Sequence, residues 1–201
     1  RKAPTSPQHG STHTAPALRE YAAWLSGKGL SAEAEAALNI AGHAGLGLQM
    51  ELPGPVGERN FYALHPRGRI LLVPATEAGL RSQMAAALAT GNQLVIDAAS
   101  GFQDRFRGLP AGVAARVSWT SDWQVDGPFA GALIEADAAR VRIINRRIAA
   151  LPGPLMLVQS ASTDEVVGNP DAYCLNWLLK EVSISVNTAA AGGNASLMTI
   201  G

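Results

Sequence analysis

The sequence is poor in the residues that build disulfide frameworks and metal sites. Its 201 residues include one cysteine, Cys174, and four histidines. A lone thiol cannot close an internal disulfide, and no cluster of cysteine and histidine has the spacing of zinc ligands. We therefore expect a protein of the reducing cytoplasm, without a structural metal.

An excess of charge of either sign is also lacking, because 16 basic residues balance 16 acidic residues. No basic run alternates with aromatic side chains, so the composition gives no reason to expect nucleic-acid binding. Residues 182–201 carry no charge, but their Asn, Thr, Ser and Gly residues make them too polar to span a bilayer. Apolar residues are abundant, at 47% against 16% charged residues, which indicates some apolar surface meant for a partner.

The first third of the chain predicts a linker, two helices and a hairpin. Residues 1–15 are rich in Ser, Thr, Pro and His, as in a linker. Apolar residues at helical spacing predict an antiparallel pair of helices over 16–27 and 31–42, with Leu38 on the inward face of the second. Residues 46–66 alternate apolar with small or polar residues around a break rich in Pro and Gly, so we expect a β-hairpin, which we call the flap.

From residue 69 onward, short apolar strands alternate with helices. A strand, a helix capped by Thr76 and a second strand form a βαβ unit, and the pattern then repeats. The expected strands are 69–73, 94–96, 116–119, 132–135 and 155–159, and the expected helices are 78–89, 102–107 and 137–150. The sequence therefore predicts an α/β fold with a small, Rossmann-like, doubly wound sheet over residues 16–186.

The C-terminal end predicts a strand followed by a tail. A helical turn near Tyr173 and Trp177 precedes a strand at 182–186, and residues 187–201 form the tail. Two glycines permit close backbone approach, and asparagine amides can bond to another main chain. A disordered end is the alternative, but the apolar anchors favour docking. The predicted interface residues are Ile184, Val186, Asn187, Thr188, Gly192, Gly193, Asn194, Leu197 and Met198.

The turn after the first strand of the predicted sheet, residues 74–79, tests for dinucleotide binding. It has one glycine, Gly79, where the G-x-G-x-x-G fingerprint needs three, and Glu77 would repel a pyrophosphate. Asp97 ends the second strand, where a dinucleotide fold keeps a ribose-binding acid, yet an acid that caps the next turn is at least as common there. A capped helix start is the preferred interpretation, so we expect no cofactor in this domain.

Nucleophilic catalysis would need a thiol or hydroxyl beside a base. Cys174 lies between Tyr173 and Leu175, and we expect a small core residue there. No histidine has a recognisable triad neighbour in the sequence. The residues therefore predict no catalytic site.

Several stretches together resemble a known family. Residues 52–60 and 66–71 look like the flap and first strand of the aldehyde dehydrogenase superfamily, and residues 79–92 are similar to its helix and turn before the second strand. The ending at 185–201 closely resembles that of long-form proline utilization A chains. The chain thus resembles the non-catalytic, aldehyde-dehydrogenase-like C-terminal domain of these bifunctional enzymes. It departs from true aldehyde dehydrogenases at residues 75–77, where they have Trp-Asn-Phe, and at Asp97, which replaces their ribose-binding lysine.

The resemblance implies a parent chain with a proline dehydrogenase that uses FAD and an L-glutamate gamma-semialdehyde dehydrogenase that uses NAD. The flap and the C-terminal strand would pair with the semialdehyde dehydrogenase domain of the same chain. The tail would cover the channel that carries the aldehyde intermediate and limit its escape. The flap residues expected at this contact are Leu48, Met50, Phe61 and Tyr62.

Two alternatives of other classes remain open. The chain could be an active nucleotide-binding domain with altered phosphate chemistry, which saturable NAD binding would reveal. It could also be a self-association module, in which the flaps of two copies pair into a symmetric homodimer.

Overall fold

The computed structural model describes residues 15–169 and 171–187, which form a parallel sheet covered by helices and a separate antiparallel sheet. The strands are β1 Gln49–Leu52, β2 Glu58–Pro66, β3 Arg69–Val73, β4 Gln93–Asp97, β5 Val117–Thr120, β6 Gly131–Glu135, β7 Leu157–Ala161 and β8 Leu179–Asn187. The α-helices are α1 Pro16–Gly27, α2 Ser31–Ala41, α3 Glu77–Ala89, α4 Ala111–Ala114, α5 Trp123–Asp126, α6 Ala138–Ala149 and α7 Thr163–Gly168. Short 3₁₀ turns lie at Ala98–Ser100, Gln103–Phe106 and Leu175–Leu178.

Five strands form a parallel sheet in the order β5-β4-β3-β6-β7. The chain moves outward from β3 through β4 to β5, then returns to the other side of β3 for β6 and β7. The order therefore reverses between β3 and β6, as in a doubly wound fold. The predicted α/β class is confirmed.

Both faces of this parallel sheet are covered, which explains why its strands are almost continuously apolar. Leu72 and Leu133 face a cluster built with α1, α2 and α3. Leu71 and Ile134 face the opposite cluster, which contains Trp123 and residues of α6. The alternation along each strand thus places neighbouring residues in two different cores.

The N-terminal helices pack on α3. Tyr21 of α1 is buried, and its hydroxyl donates to the carbonyl of Arg81 on α3 at 3.3 Å. In α2 the prediction for Leu38 is wrong, because this side chain is 44% exposed while Ile40 is buried. The buried face of α2 is centred on Ala34, Ala37 and Ile40, which turns Leu38 toward solvent.

Helix α3 begins and ends at the predicted signals. The Thr76 hydroxyl accepts a bond from the Gly79 N–H at 2.9 Å and caps the first turn. At the other end Gly91 has φ of +71°, and the Asn92 N–H donates to the carbonyl of Ala87 at 2.9 Å. The left-handed glycine reverses the chain into β4.

The second sheet is antiparallel, with the order β1-β2-β8. The flap supplies β1 and β2, and the predicted C-terminal strand becomes β8. We call these three strands the flap sheet. Asn187 is the last residue of β8, so the strand runs one residue into the segment assigned to the tail.

Candidate functional site

The flap sheet leaves two strand edges open. Its central strand β2 pairs with β1 over four residues and with β8 over nine, from Glu58 opposite Asn187 to Pro66 opposite Leu179. Among residues 15–169 and 171–187, no further strand pairs with the outer edge of β8 or of β1. Both edges of β2 are occupied within the flap sheet. The prediction that the flap strands pair with another domain therefore concerns only the outer edges of β1 and β8.

One surface of the flap sheet carries apolar side chains. Phe61 lies opposite Ile184, Ala63 opposite Val182, and Arg59 opposite Val186, so these residues share one side of the sheet. We call its apolar members, Phe61, Ala63, Val182, Ile184 and Val186, the apolar face. Ile184 is 54% exposed and Val186 is 43% exposed.

The opposite surface of the flap sheet mixes polar and apolar side chains. The Ser185 hydroxyl donates to Asn60 Oδ1 at 2.5 Å across β2 and β8. Partial burial and a hydrogen bond with Glu181 hold the pKa of Tyr62 above its ordinary value. Met50 lies opposite Tyr62 on this surface. The predicted interface residues are therefore divided, with Phe61 on the apolar face and Met50 and Tyr62 on the other surface.

An ion pair borders the apolar face. Arg59 binds Glu51 with two parallel bonds, Nε to Oε1 at 2.9 Å and Nη2 to Oε2 at 3.0 Å. Its guanidinium also lies 4.9 Å from the ring centroid of Phe61. The hydrogen bond from Arg59 holds the pKa of the Glu51 carboxyl below its usual value. The pair neutralises its own two charges at this border of the apolar face.

The base of the flap sheet is tied to the parallel sheet. Arg67, in the link between β2 and β3, donates from Nε to the carbonyl of Trp177 at 2.7 Å and from Nη2 to that of Leu179 at 2.6 Å. The Asn92 side-chain amide donates to the carbonyl of Leu178 at 2.8 Å. These bonds fix the start of β8 against the body, so the sheet projects from an anchored base.

Leu48 precedes β1, and the carbonyl of Leu48 accepts a bond from the Leu64 N–H at 3.0 Å. Leu48 is thus hydrogen-bonded to strand β2 of the flap through its backbone. Thr188, Gly192, Gly193, Asn194, Leu197 and Met198 lie outside the described residues. Their docking role stays a prediction.

A second candidate site is the carboxyl edge of the parallel sheet, where doubly wound folds bind ligands. Glu135, the last residue of β6, lies at the N-terminus of α3. Its Oε2 accepts from the N–H groups of Ala75 and Thr76, both at 2.8 Å, and its Oε1 accepts from the Thr76 hydroxyl at 2.8 Å. The side chain is 2% exposed. Sequence reasoning missed this residue, because nothing in a strand ending in Glu says which helix its carboxylate will reach.

Asp97, the other acid at this edge, caps the next turn. Its Oδ1 accepts from the Trp123 indole N–H at 3.3 Å and from the Ala99 N–H at 3.4 Å. The capping interpretation of Asp97 is confirmed by these bonds. Beside it is a crevice of about 540 Å³ whose charged lining includes Asp97, Glu135, Asp137, Arg140 and Asp164.

Cys174 is exposed, which contradicts the prediction of a core residue. Its backbone is extended, so the side chain points away from those of its buried neighbours Tyr173 and Leu175. Its N–H and carbonyl bond to the side chain of Gln159 at 2.7 and 3.1 Å.

Among the described residues, no group of three or more His, Cys, Asp or Glu is arranged to hold a metal. No helix of the described ranges is long and apolar enough to cross a membrane.

Comparison with known proteins begins with the whole chain. No protein-family model matches it. The bifunctional protein PutA of Rhizobium meliloti is 66% identical over 199 residues, which cover 99% of this chain. The chain is a homologue of a segment of PutA. It spans 16% of the length of that relative.

The fold agrees with this homology to PutA. A structure of proline utilization A with proline bound in remote sites superposes with a TM-score of 0.54 at 18% identity, over 74% of this chain and 19% of that chain. An NAD-dependent benzaldehyde dehydrogenase from Corynebacterium glutamicum superposes with a TM-score of 0.51 at 16% identity, over 75% of this chain and 41% of that chain. The described domain therefore has the aldehyde dehydrogenase fold, and the resemblance inferred from its sequence is confirmed.

Proposed function

We propose that this chain is a non-catalytic docking domain of a bifunctional PutA protein. It packs on the semialdehyde dehydrogenase domain of the same chain, supports the active site there and covers the substrate channel. The observation that carries the proposal is the flap sheet, which combines an open strand edge with an exposed apolar face. Neither feature is needed to complete the core of the parallel sheet.

The open edge of β8 is suited to strand addition. Strand β8 has nine residues, which is longer than the usual strand of about five or six. An edge of this length offers backbone N–H and C=O groups to a strand of another domain. The bonds at its base hold it in a fixed direction, so a partner strand meets a preformed template.

The apolar face supplies side-chain affinity for the same partner. Ile184 and Val186 are β-branched and lie beside Phe61, which gives a compact, low-entropy contact area. Contiguous exposed apolar side chains are characteristic of interaction surfaces. A partner that pairs with β8 and packs on this face would bury both features together.

The parent activities follow from the homology. We infer a proline dehydrogenase with FAD and an L-glutamate gamma-semialdehyde dehydrogenase with NAD elsewhere in the longer protein. Residues 188–201, the rest of the tail, follow β8 directly in the chain. A partner docked on β8 would therefore lie next to the start of the tail. A tail that covers the channel would keep water out and the aldehyde intermediate in.

The test uses the full-length PutA protein and compares two double variants. Ile184→Thr with Val186→Thr removes apolar contact from the apolar face and keeps the β-branched shape that suits a strand. The control is Val125→Thr with Val167→Thr, at sites 76% and 69% exposed outside the flap sheet. We expect the first pair to lower the semialdehyde dehydrogenase rate and to let intermediate accumulate during proline oxidation, with proline dehydrogenase unchanged. The control pair should match the wild type.

Equal rates and equal coupling in the two double variants would reject the docking role. A second function, self-association, also draws on the open edge of β8, since two copies can pair there antiparallel. Light scattering across a concentration series distinguishes this case: a dimer of the full-length protein that dissociates in the Ile184 and Val186 variant, with both activities retained, would favour self-association.

A further inference from the structure

The parallel sheet has one position at which its topology favours a ligand. The strand order reverses between β3 and β6, and open α/β sheets bind nucleotides in the crevice at that reversal. The N-terminus of α3 points into it, and free backbone N–H groups at such a terminus attract phosphate. The aldehyde dehydrogenase fold therefore raises the question of whether a dinucleotide phosphate fits here.

We propose that the Glu135 carboxylate is a permanent internal substitute for that phosphate. The carboxylate lies where a phosphate would bind at the N-terminus of α3. It joins the sheet to the helix there, and no dinucleotide binds at that point. Two backbone N–H groups, of Ala75 and Thr76, and the Thr76 hydroxyl all donate to this one carboxylate at 2.8 Å. Both N–H groups belong to the residues directly before α3, so the carboxylate lies at the entry to the helix, where an anion is favoured.

The Glu135 carboxylate itself fills the position at the N-terminus of α3. The side chain is 2% exposed. A Cβ added at Gly79 would lie 1.7 Å from Glu135 Oε2, so the first turn of α3 touches the carboxylate directly. The close approach of the carboxylate therefore requires a glycine at position 79, the one glycine that the sequence offers in this turn.

The charges around the crevice oppose a phosphate as well. Asp97, Asp137 and Asp164 line the crevice together with Arg140. This excess of negative charge repels a pyrophosphate that approaches from solvent. The residues present do not fit the cofactor that the fold implies. A docking domain could hold a dinucleotide and still dock, so this inference goes beyond the proposed function.

The experiment removes the carboxylate and asks whether an added anion replaces it. The 201-residue chain serves for this test because its two apolar clusters are formed by its own residues, with circular dichroism as the check of folding. Glu135→Ala leaves buried donors unpaired and is expected to lower the melting temperature by roughly 5–10 °C. Inorganic phosphate and pyrophosphate are then titrated against this variant, and both should restore a large part of the loss.

The matched control is Asp122→Ala, which removes an exposed acid outside the crevice that caps α5 by accepting from the Gln124 N–H at 2.9 Å. Phosphate also stabilises proteins non-specifically, so the gain in Glu135→Ala must exceed that in the control and in the wild type. Glu135→Gln keeps the volume but cannot accept all the bonds, so we expect a smaller loss without recovery by anions. A gain no larger than the control, a Glu135→Gln melting temperature equal to the wild type, or saturable NAD or pyrophosphate stabilisation of the wild type would each overturn the proposal.

Discussion

The two sheets of this molecule differ in how completely the faces and edges of their strands are covered. In the parallel sheet, every central strand is covered on both faces and flanked by other strands. In the flap sheet, one face remains apolar and open, and the outer edges of β1 and β8 have no partner within the described residues. The contrast indicates that the first sheet carries the stability of the domain, and the second is the sheet for which we propose contacts with a partner.

The difference is visible in how each sheet satisfies its polar groups. At the parallel sheet, buried polar side chains such as Glu135 and Thr90 bond within the domain, and the Thr90 hydroxyl donates to the carbonyl of Ala86 at 2.9 Å. At the flap sheet, the ion pair of Arg59 and Glu51 is exposed. A sheet with an exposed edge and an exposed face can exchange water for a partner with little internal rearrangement.

The largest expected effect compares the same substitution in the two sheets. Ile70, on β3, is fully buried, while Ile184, on β8, is 54% exposed. Ile70→Ala should lower the free energy of unfolding by about 2–5 kcal/mol because it leaves a cavity. Ile184→Ala should lower it by at most about 1 kcal/mol. Urea unfolding of both variants measures the difference, and comparable losses would show that the flap sheet belongs to the core.

A smaller effect is expected where the two sheets are joined. The Asn92 side chain accepts from the Gly68 N–H and donates to Thr90 Oγ1 and to the carbonyl of Leu178, each at 2.8 Å. Asn92→Ala leaves these buried groups unpaired and should lower the free energy of unfolding by about 1–3 kcal/mol. The control is the same substitution at an exposed asparagine, Asn176→Ala. Hydrogen exchange should become faster at the base of β8 in Asn92→Ala alone, and unchanged protection there would mean that other contacts hold the joint.

The smallest effect concerns the border of the apolar face. The bond from Arg59 lowers the pKa of Glu51, so the ion pair is stabilising above the ordinary carboxyl pKa and is lost as pH falls through the lowered value. An NMR titration should place the midpoint of Glu51 below that of a free glutamate. Arg59→Met should return it to the ordinary value, and Arg59→Lys, which cannot form two parallel bonds, should give an intermediate midpoint. Equal midpoints in the wild type and Arg59→Met would show that the ion pair does not form in solution.

Long periodic segments could be predicted well from the sequence. The boundaries of β3, α3 and β4 agree with prediction within one residue, because Gly68, Thr76 and Gly91 act through local backbone geometry. Strand β7 begins at Leu157, two residues later than expected, since residues 151–154 form a turn. Helix α7 was missed, although the capping box of Ser162 and Glu165 is a local signal that could have revealed it.

The errors share one physical cause. Leu38 and Cys174 were assigned to the core because they are apolar and have apolar neighbours, but the side on which a residue lies depends on what packs against its element. Leu38 turns away from α3, and Cys174 turns away from its two buried neighbours. Composition alone cannot decide between two faces of one segment.

The sequence by itself determined the α/β class, the flap, the strand that becomes β8 and the family resemblance, since these depend on periodicity, turn residues and motifs close together in the chain. Only the tertiary structure decided that β8 pairs with β2, which places Ile184 and Val186 beside Phe61 and leaves the outer edge of β8 without a partner strand among the described residues. It alone brought Glu135 to the N-terminus of α3, some 60 residues away along the chain. Contacts of that separation follow from how strands and helices pack in three dimensions, and local sequence patterns carry no record of them.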